Sequence, residues 1–334
     1  MARRQAVLLV IALAVAACSS TTSRAGDPAS PTAPSMAGTT AAAEPSTEAT
    51  PSATRNPVAT DAPSTTVVPD TIDPTVERPF EVFTPTEYDG ATPVPLVVLL
   101  HGYGITGAMQ EDYFHFERLA EQRGFLLVHP DGTVDADGKH FWNATDACCG
   151  FGETVDDSGY LAAVIRQVQA AYSVDPRRIF LIGFSNGGFM SYRMACDHAD
   201  LIAALVSISG ATYLDPSACS PSQPVNVLEI HGTADEAIAY EGGTFRNEPH
   251  PGAEASIDDW ATYNGCSGGA TTGAATLDLD ARLGGDESVI TTYASCPQSG
   301  AAELWTIVGG SHIPHLSRTF TAQVIDFLLA HPKP

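Results

Sequence analysis

Short apolar runs alternate with amphipathic stretches from about residue 78 to the end of the chain. Residues 96–100, Leu-Val-Val-Leu-Leu, form an unbroken apolar run bounded by turn residues, as a strand buried on both faces requires. Similar runs at 80–83, 125–128, 179–182, 203–208, 225–230 and 304–308 predict further strands. Between them, helical spacing predicts helices at 109–123, from Asp156 through Leu161, Val164, Val168 and Ala171, after Ser185, at 257–263 and at 319–329. Asp156 stands where a capping side chain belongs, which makes structural roles the expectation for Asp156 and Asp157. Strand and helix in alternation predict an α/β fold, a mostly parallel sheet with helices on both faces. Active sites in such sheets gather at the carboxyl ends of the strands.

The first 75 residues do not follow this pattern. Residues 1–18 open with Arg3 and Arg4, continue as an apolar run and end in Val15-Ala16-Ala17-Cys18. That is the build of an export signal, too short for a spanning helix. The run resembles a bacterial lipobox, so Cys18 is the expected lipidation site; cleavage after Ala16 is the alternative. Residues 19–76, rich in Ser, Thr, Pro and Ala and without apolar periodicity, read as a disordered tether. As a flexible coil such a segment spans roughly 40 Å. The expected organisation is a lipoprotein signal peptide (1–18), a tether (19–76) and a catalytic domain (77–334). The expected location is outside the cytoplasmic membrane, with membrane contact through the lipid anchor only.

Composition narrows the partners. The 334 residues include 39 acidic and 16 basic side chains, a formal net charge of −23, and the excess lies in the folded part. Such a surface repels phosphate backbones and argues against nucleic acid. Of seven cysteines, six follow Cys18, and an even number in an exported chain predicts disulfides. Cys266 is expected to pair with Cys296, and Cys148, Cys149, Cys196 and Cys219 among themselves. No C-x-x-C or His-rich spacing supports a metal site, and no cofactor is expected.

Candidate chemistry begins at Gly183-Phe184-Ser185-Asn186-Gly187, which matches G-x-S-x-G between a predicted strand and a predicted helix. In that context the serine sits on a sharp turn, and the glycines leave room for the neighbouring backbone. A serine hydroxyl needs a histidine to take its proton and a carboxylate to orient that histidine. In the order Ser, Asp, His, the acid is Asp235, just past the strand 225–230, with Glu236 and Asp215 as alternatives. The base is His312, past the strand 304–308 and the pair Gly309-Gly310, with His315 as its near alternative. His101 precedes the serine and reads as a loop brace. The oxyanion donors are expected to be the backbone amides of Asn186 and of Tyr103, in the loop 101–104.

These residues carry a resemblance. Val94 to Gly102, Pro130-Asp131-Gly132, Trp142-Asn143, Cys148-Cys149-Gly150, Val155-Asp156-Asp157, Val174 to Arg178, Gly183 to Gly188 and His231 to Asp235 together resemble the polyhydroxybutyrate depolymerase-like and feruloyl esterase-like family of extracellular serine esterases. The resemblance implies the α/β-hydrolase fold and cofactor-free ester hydrolysis by Ser185, Asp235 and His312. The family often follows its histidine with Trp-Pro, whereas this chain has Ile313-Pro314, which changes the acyl or aryl pocket. Trp142 and Asn143 are expected to line the substrate site, because an aromatic face suits a sugar or a feruloyl ring. The alternative is a tryptophan covering the core beneath a disulfide-braced loop. Competing functions are a non-catalytic envelope or carbohydrate-binding protein on the same scaffold, which a serine-reactive probe separates, and a serine peptidase. The ester itself is left open among polyhydroxyalkanoates, feruloylated or acetylated polysaccharides and lipids.

Overall fold

The computed structural model describes residues 74–149 and 154–334; Cys18, the signal segment and the tether up to residue 73 lie outside them. The chain enters through a single helical turn, α1 (Pro74–Glu77), and a short strand, β1 (Val82–Phe83). The first long strand is β2 (Val94–Leu100), followed by α2 (Gly107–Phe114), α3 (Phe116–Arg123) and β3 (Leu126–Val128). A hairpin, β4 (Thr133–Val134) and β5 (His140–Phe141), precedes α4 (Asp157–Ala171), β6 (Val174–Phe184) and α5 (Asn186–Asp197). Then come β7 (Ala204–Ile208), β8 (Asn226–Gly232), the hairpin β9 (Gly243–Phe245) and β10 (Glu248–His250), and α6 (Ala253–Tyr263). The last elements are β11 (Ala270–Leu277), β12 (Ser288–Tyr293), β13 (Ala302–Ile307) and α7 (Phe320–Ala330).

Nine strands form one sheet in the order β1-β3-β2-β6-β7-β8-β13-β12-β11. The six from β3 to β13 run parallel, and β1, β12 and β11 pair antiparallel at the two margins. This is the mostly parallel sheet expected. Alternation along β2 shows why its apolar run is continuous. Leu96, Val98 and Leu100 pack with α4, α5 and α6, while Val97 and Leu99 pack with α3 and α7 on the other face. Every second residue therefore feeds a different half of the core.

Three local departures from the expected elements have physical causes. The helix expected at 109–123 is broken at His115, which takes a left-handed conformation (φ 59°, ψ 42°). Glu111 makes the break possible, because its carboxylate accepts the N–H groups of Phe116 at 3.0 Å and Glu117 at 2.8 Å and so caps α3 from a distance. The helical turn Pro74–Glu77 was not expected either; it is held by Thr75, which is buried and hydrogen-bonds Gln167 of α4. The third departure is β11 and β12, which were not expected at all; their Thr, Ala and Gly residues lack a clear apolar alternation.

The loop from β3 to α4 is anchored by buried Asp157. Its carboxylate pairs with Arg78 and accepts the Thr133 hydroxyl at 3.0 Å and the Asn143 N–H at 2.7 Å. Asp156 caps α4 by accepting the Gly159 N–H at 2.8 Å. Both carboxylates thus have the structural roles expected of them. The six cysteines of the folded part pair as Cys148–Cys149, Cys196–Cys219 and Cys266–Cys296, in agreement with the expected grouping. No helix among the described residues is long and apolar enough to cross a membrane.

Candidate active site

Ser185 sits between the end of β6 and the start of α5, with φ 53° and ψ −118°. An L-residue there is strained by roughly 1–3 kcal/mol, so the surroundings must hold it. Its N–H is fixed on Ile208 O of the adjacent β7, at 2.8 Å. The flanking glycines permit the turn. A Cβ at Gly183 would lie 2.0 Å from Gly187 O, and one at Gly187 would lie 2.2 Å from Leu100 O. The elbow is thus packed backbone to backbone against its own helix and against β2.

Two other strand ends bring the remaining groups. Asp235 follows β8 by three residues, and His312 lies in the loop after β13. His312 Nε2 is 3.0 Å from Ser185 Oγ, and His312 Nδ1 is 2.8 Å from Asp235 Oδ2. The other oxygen of Asp235 accepts the N–H groups of Ala237 and Ile238, each at 2.8 Å. Burial pushes the Asp235 carboxyl up, but hydrogen bonds from His231 and His312 outweigh it and hold the group below the usual carboxylate range. The alternatives fall away on geometry. Glu236 is exposed and reaches only the backbone N–H of His312 at 3.3 Å, and Asp215 caps a short turn through Ser217 N. His315 is exposed, and its carbonyl accepts the Ala281 N–H.

Asn186 is nearly fully buried, and its side chain is committed. Oδ1 accepts the Trp142 N–H at 2.7 Å, and Nδ2 donates to Trp142 O at 2.9 Å. Its backbone N–H, in the first turn of α5, has no partner among the described residues and is one of the donors that a helix start leaves open. The loop leaving β2 lies beside it. Gly102 packs under Phe184, and its N–H is occupied by Gln110 Oε1 at 3.0 Å. Next in the chain, Tyr103 donates its hydroxyl to Asp135 at 2.6 Å, and the Arg246 guanidinium lies 4.8 Å from its ring centre.

The expectation that Trp142 lines the substrate site is corrected. Trp142 is fully buried; its indole N–H donates to His101 O at 3.1 Å, so the ring braces the β2 loop while its backbone holds Asn186. Asn143, half-buried, donates its side-chain amide to Val155 O at 2.8 Å and its backbone N–H to Asp157, which braces the loop. His101 is the loop brace it was expected to be: fully buried, with Nδ1 donating to Gly102 O at 2.8 Å and Nε2 accepting the Gly132 N–H at 2.9 Å. Burial lowers its pKa to about 4. Where the resembled family often has Trp-Pro, Ile313 is 54% exposed beside His312, and the Phe184 ring lies 5.2 Å from the His312 ring. These two side chains give the site an apolar edge.

One pair of residues was missed in the sequence. Glu229 and His231 are buried on β8 directly behind Asp235. The signal available was polarity inside an apolar run, Val227-Leu228-Glu229-Ile230-His231.

Comparison with known proteins agrees with this architecture. The phospholipase/carboxylesterase family model matches residues 151–251. Feruloyl esterase B of Piromyces equi is 27% identical over 68% of this chain and 41% of its own length. A bifunctional acetylxylan esterase/xylanase of Neocallimastix patriciarum is 29% identical over 49% of this chain and 22% of its own. The chain therefore spans less than half the length of these two relatives. Feruloyl esterase D of Neurospora crassa is 27% identical over 71% of this chain and 74% of its own. Among solved structures, an acetyl xylan esterase from Aspergillus awamori superposes with a TM-score of 0.53 at 17% identity, covering 75% of this chain and 93% of that one. The chain has the α/β-hydrolase fold and is related to feruloyl and acetylxylan esterases.

Proposed function

We propose that this α/β-hydrolase relative of feruloyl and acetylxylan esterases hydrolyses carboxylic esters through Ser185, His312 and Asp235. Ser185 Oγ attacks the ester carbonyl carbon while His312 Nε2 takes the hydroxyl proton. The negative oxygen that forms is met by the backbone N–H of Asn186, and by that of Tyr103 from the β2 loop. Collapse expels the alcohol, which leaves with the proton from His312, and an acyl ester remains on Ser185. Water then attacks that ester, with His312 as base, and releases the acid and the free serine. Asp235 keeps the Nδ1–H tautomer of His312, so that Nε2 is free to accept.

The observation that carries this reading is the continuous line from Ser185 Oγ to His312 Nε2 at 3.0 Å and from His312 Nδ1 to Asp235 Oδ2 at 2.8 Å, on a serine in a strained turn. The test is Ser185→Ala in a p-nitrophenyl acetate assay, with circular dichroism to confirm the fold. Removing the nucleophile should lower kcat by more than about 10³-fold. A folded variant that keeps its activity would sink the assignment.

The names of the relatives favour feruloyl or acetyl esters of polysaccharides as substrates, and the exposed Ile313 favours an apolar acyl or aryl group beside His312. Three cystine pairs support work outside the cytoplasm. The lipobox-like run ending at Cys18 supports export and lipid attachment.

A further inference from the structure

His231 is the penultimate residue of β8, and its ring is 1% exposed. Nδ1 lies 2.9 Å from Glu229 Oε1; Nε2 lies 2.8 Å from Ile238 O and 3.3 Å from Asp235 Oδ2. Glu229, fully buried, accepts the Tyr192 hydroxyl of α5 on its other oxygen at 2.9 Å. The Tyr240 ring stands edge-on to the imidazole at 5.9 Å, and buried His250 lies within electrostatic range of both His231 and Asp235.

Proton accounting fixes what this cluster does. Every atom facing the two ring nitrogens is an oxygen, and Ile238 O cannot donate. A single proton on Nδ1 would turn the Nε2 lone pair toward two acceptors, so Nε2 must carry a hydrogen. Nδ1 then either donates to the Glu229 carboxylate or accepts from its acid form. In both cases Glu229 and His231 together carry no net charge, and Nε2–H is presented to Ile238 O and Asp235.

We propose that His231, pinned by Glu229, is a positioning residue of the ester hydrolase site: its Nε2–H shares Asp235 Oδ2 with His312, fixing the carboxylate and tempering the basicity that Asp235 lends to His312. The proposal rests on the catalytic reading of Ser185, His312 and Asp235. Asp235 then faces four N–H groups, hydrogen bonds from Ala237 and Ile238 on Oδ1 and from His312 on Oδ2, with His231 Nε2 in ion-pair range of Oδ2 at 3.3 Å. Burial alone would strip the imidazolium of its proton, but its donation to the carboxylates of Asp235 and Glu229 outweighs that and raises the His231 pKa to about 10. The other charged group at His312 is Glu236, which meets only its backbone N–H.

The test compares the full chain with Glu229→Gln and with Glu229→Gln/His231→Leu, which removes the pair without stranding a buried charge. The readouts are the imidazole titration of His312 by NMR and the pH profile of kcat/KM on p-nitrophenyl acetate. In the double variant Asp235 loses a donor and attracts the His312 proton more strongly. The His312 midpoint and the acid limb of kcat/KM should both rise, by about half to one pH unit, and kcat should fall about ten-fold with KM within two-fold. Glu229→Gln still offers an amide donor to Nδ1, so the Nε2–H tautomer persists and kcat stays within about three-fold. An unchanged His312 midpoint in the folded double variant overturns the proposal. If that variant does not fold, the tautomer of His231 in Glu229→Gln decides: Nε2–H supports the proposal and Nδ1–H overturns it. A wild-type chain inactive on esters would refute the catalytic reading, while the NMR midpoint would still test the coupling.

Discussion

At the scale of single residues, two buried histidines of this site carry opposite consequences for stability. An unfolded histidine titrates near about 6.5. His101, held neutral by burial, resists protonation down to about 4. Between those values the unfolded chain binds more protons than the folded one, so stability falls as pH drops through that window, by at most about 3 kcal/mol from this residue. His231 acts the other way. Its folded pKa of about 10 means that its contribution is complete below about 6.5 and is lost as pH rises through 10. Urea midpoints measured from pH 4 to 7 should therefore fall less steeply toward acid in His101→Asn, whose amide still donates to Gly102 O, than in the wild type. Parallel slopes would show that His101 is not the acid-sensitive group. The grouping of Ser185, Asp235 and His312, the proposed triad, was legible in the sequence because each member follows a strand end in a fixed order. Trp142 and His231 were not, because their roles depend on which way a side chain faces. A tryptophan in a polar loop looks available until the loop is seen to fold over it, and a histidine next to a motif looks incidental until both its nitrogens are seen to face oxygens.

At the scale of elements, long apolar runs were easy to read and compensated breaks were not. The parallel strands from β3 to β13 are buried on both faces, and their runs have no competing pattern. The break between α2 and α3 carries no Gly or Pro; His115 takes the left-handed position, and the Glu111 side chain replaces the backbone acceptors lost there. Because α2 follows the β2 loop and its Gln110 holds the Gly102 N–H, this break also sets the position of the proposed oxyanion loop. Glu111→Ala leaves two N–H groups of α3 without their acceptor and should cost about 1–2 kcal/mol. Glu111→Gln keeps one acceptor and should cost roughly half as much. Chemical denaturation of the two variants checks the order; equal losses would mean that the capping bonds contribute nothing beyond shape. The strands β11 and β12 escaped notice for a different reason. They lie at the sheet margin, and a Thr- and Ala-rich strand that is only partly covered shows little alternation.

At the scale of the whole molecule, all parts of the proposed site arise from four loops at one end of the sheet, after β2, β6, β8 and β13, and from the first turn of α5. These elements lie between residues 94 and 312, and their supports reach to Arg78 at one end and α7 at the other. The proposed chemistry and the proposed attachment are therefore separable by residue: Cys18 is the candidate for attachment, and Ser185, Asp235 and His312 are the candidates for chemistry. Cys18→Ala in the full chain should abolish incorporation of an alkyne-tagged fatty acid and move the protein from the membrane to the soluble fraction, while kcat/KM on a small soluble ester stays within about two-fold, since the residues of the proposed site lie between 101 and 312. On a polymeric ester the two forms should differ. An anchored enzyme meets only the substrate that reaches the membrane, whereas the released form diffuses to it, and a domain of net negative charge is further slowed toward acidic polysaccharides at low salt. Loss of activity of Cys18→Ala on the small ester would show instead that the leading segment supports the fold, and would refute the division of labour argued from the residues of the site.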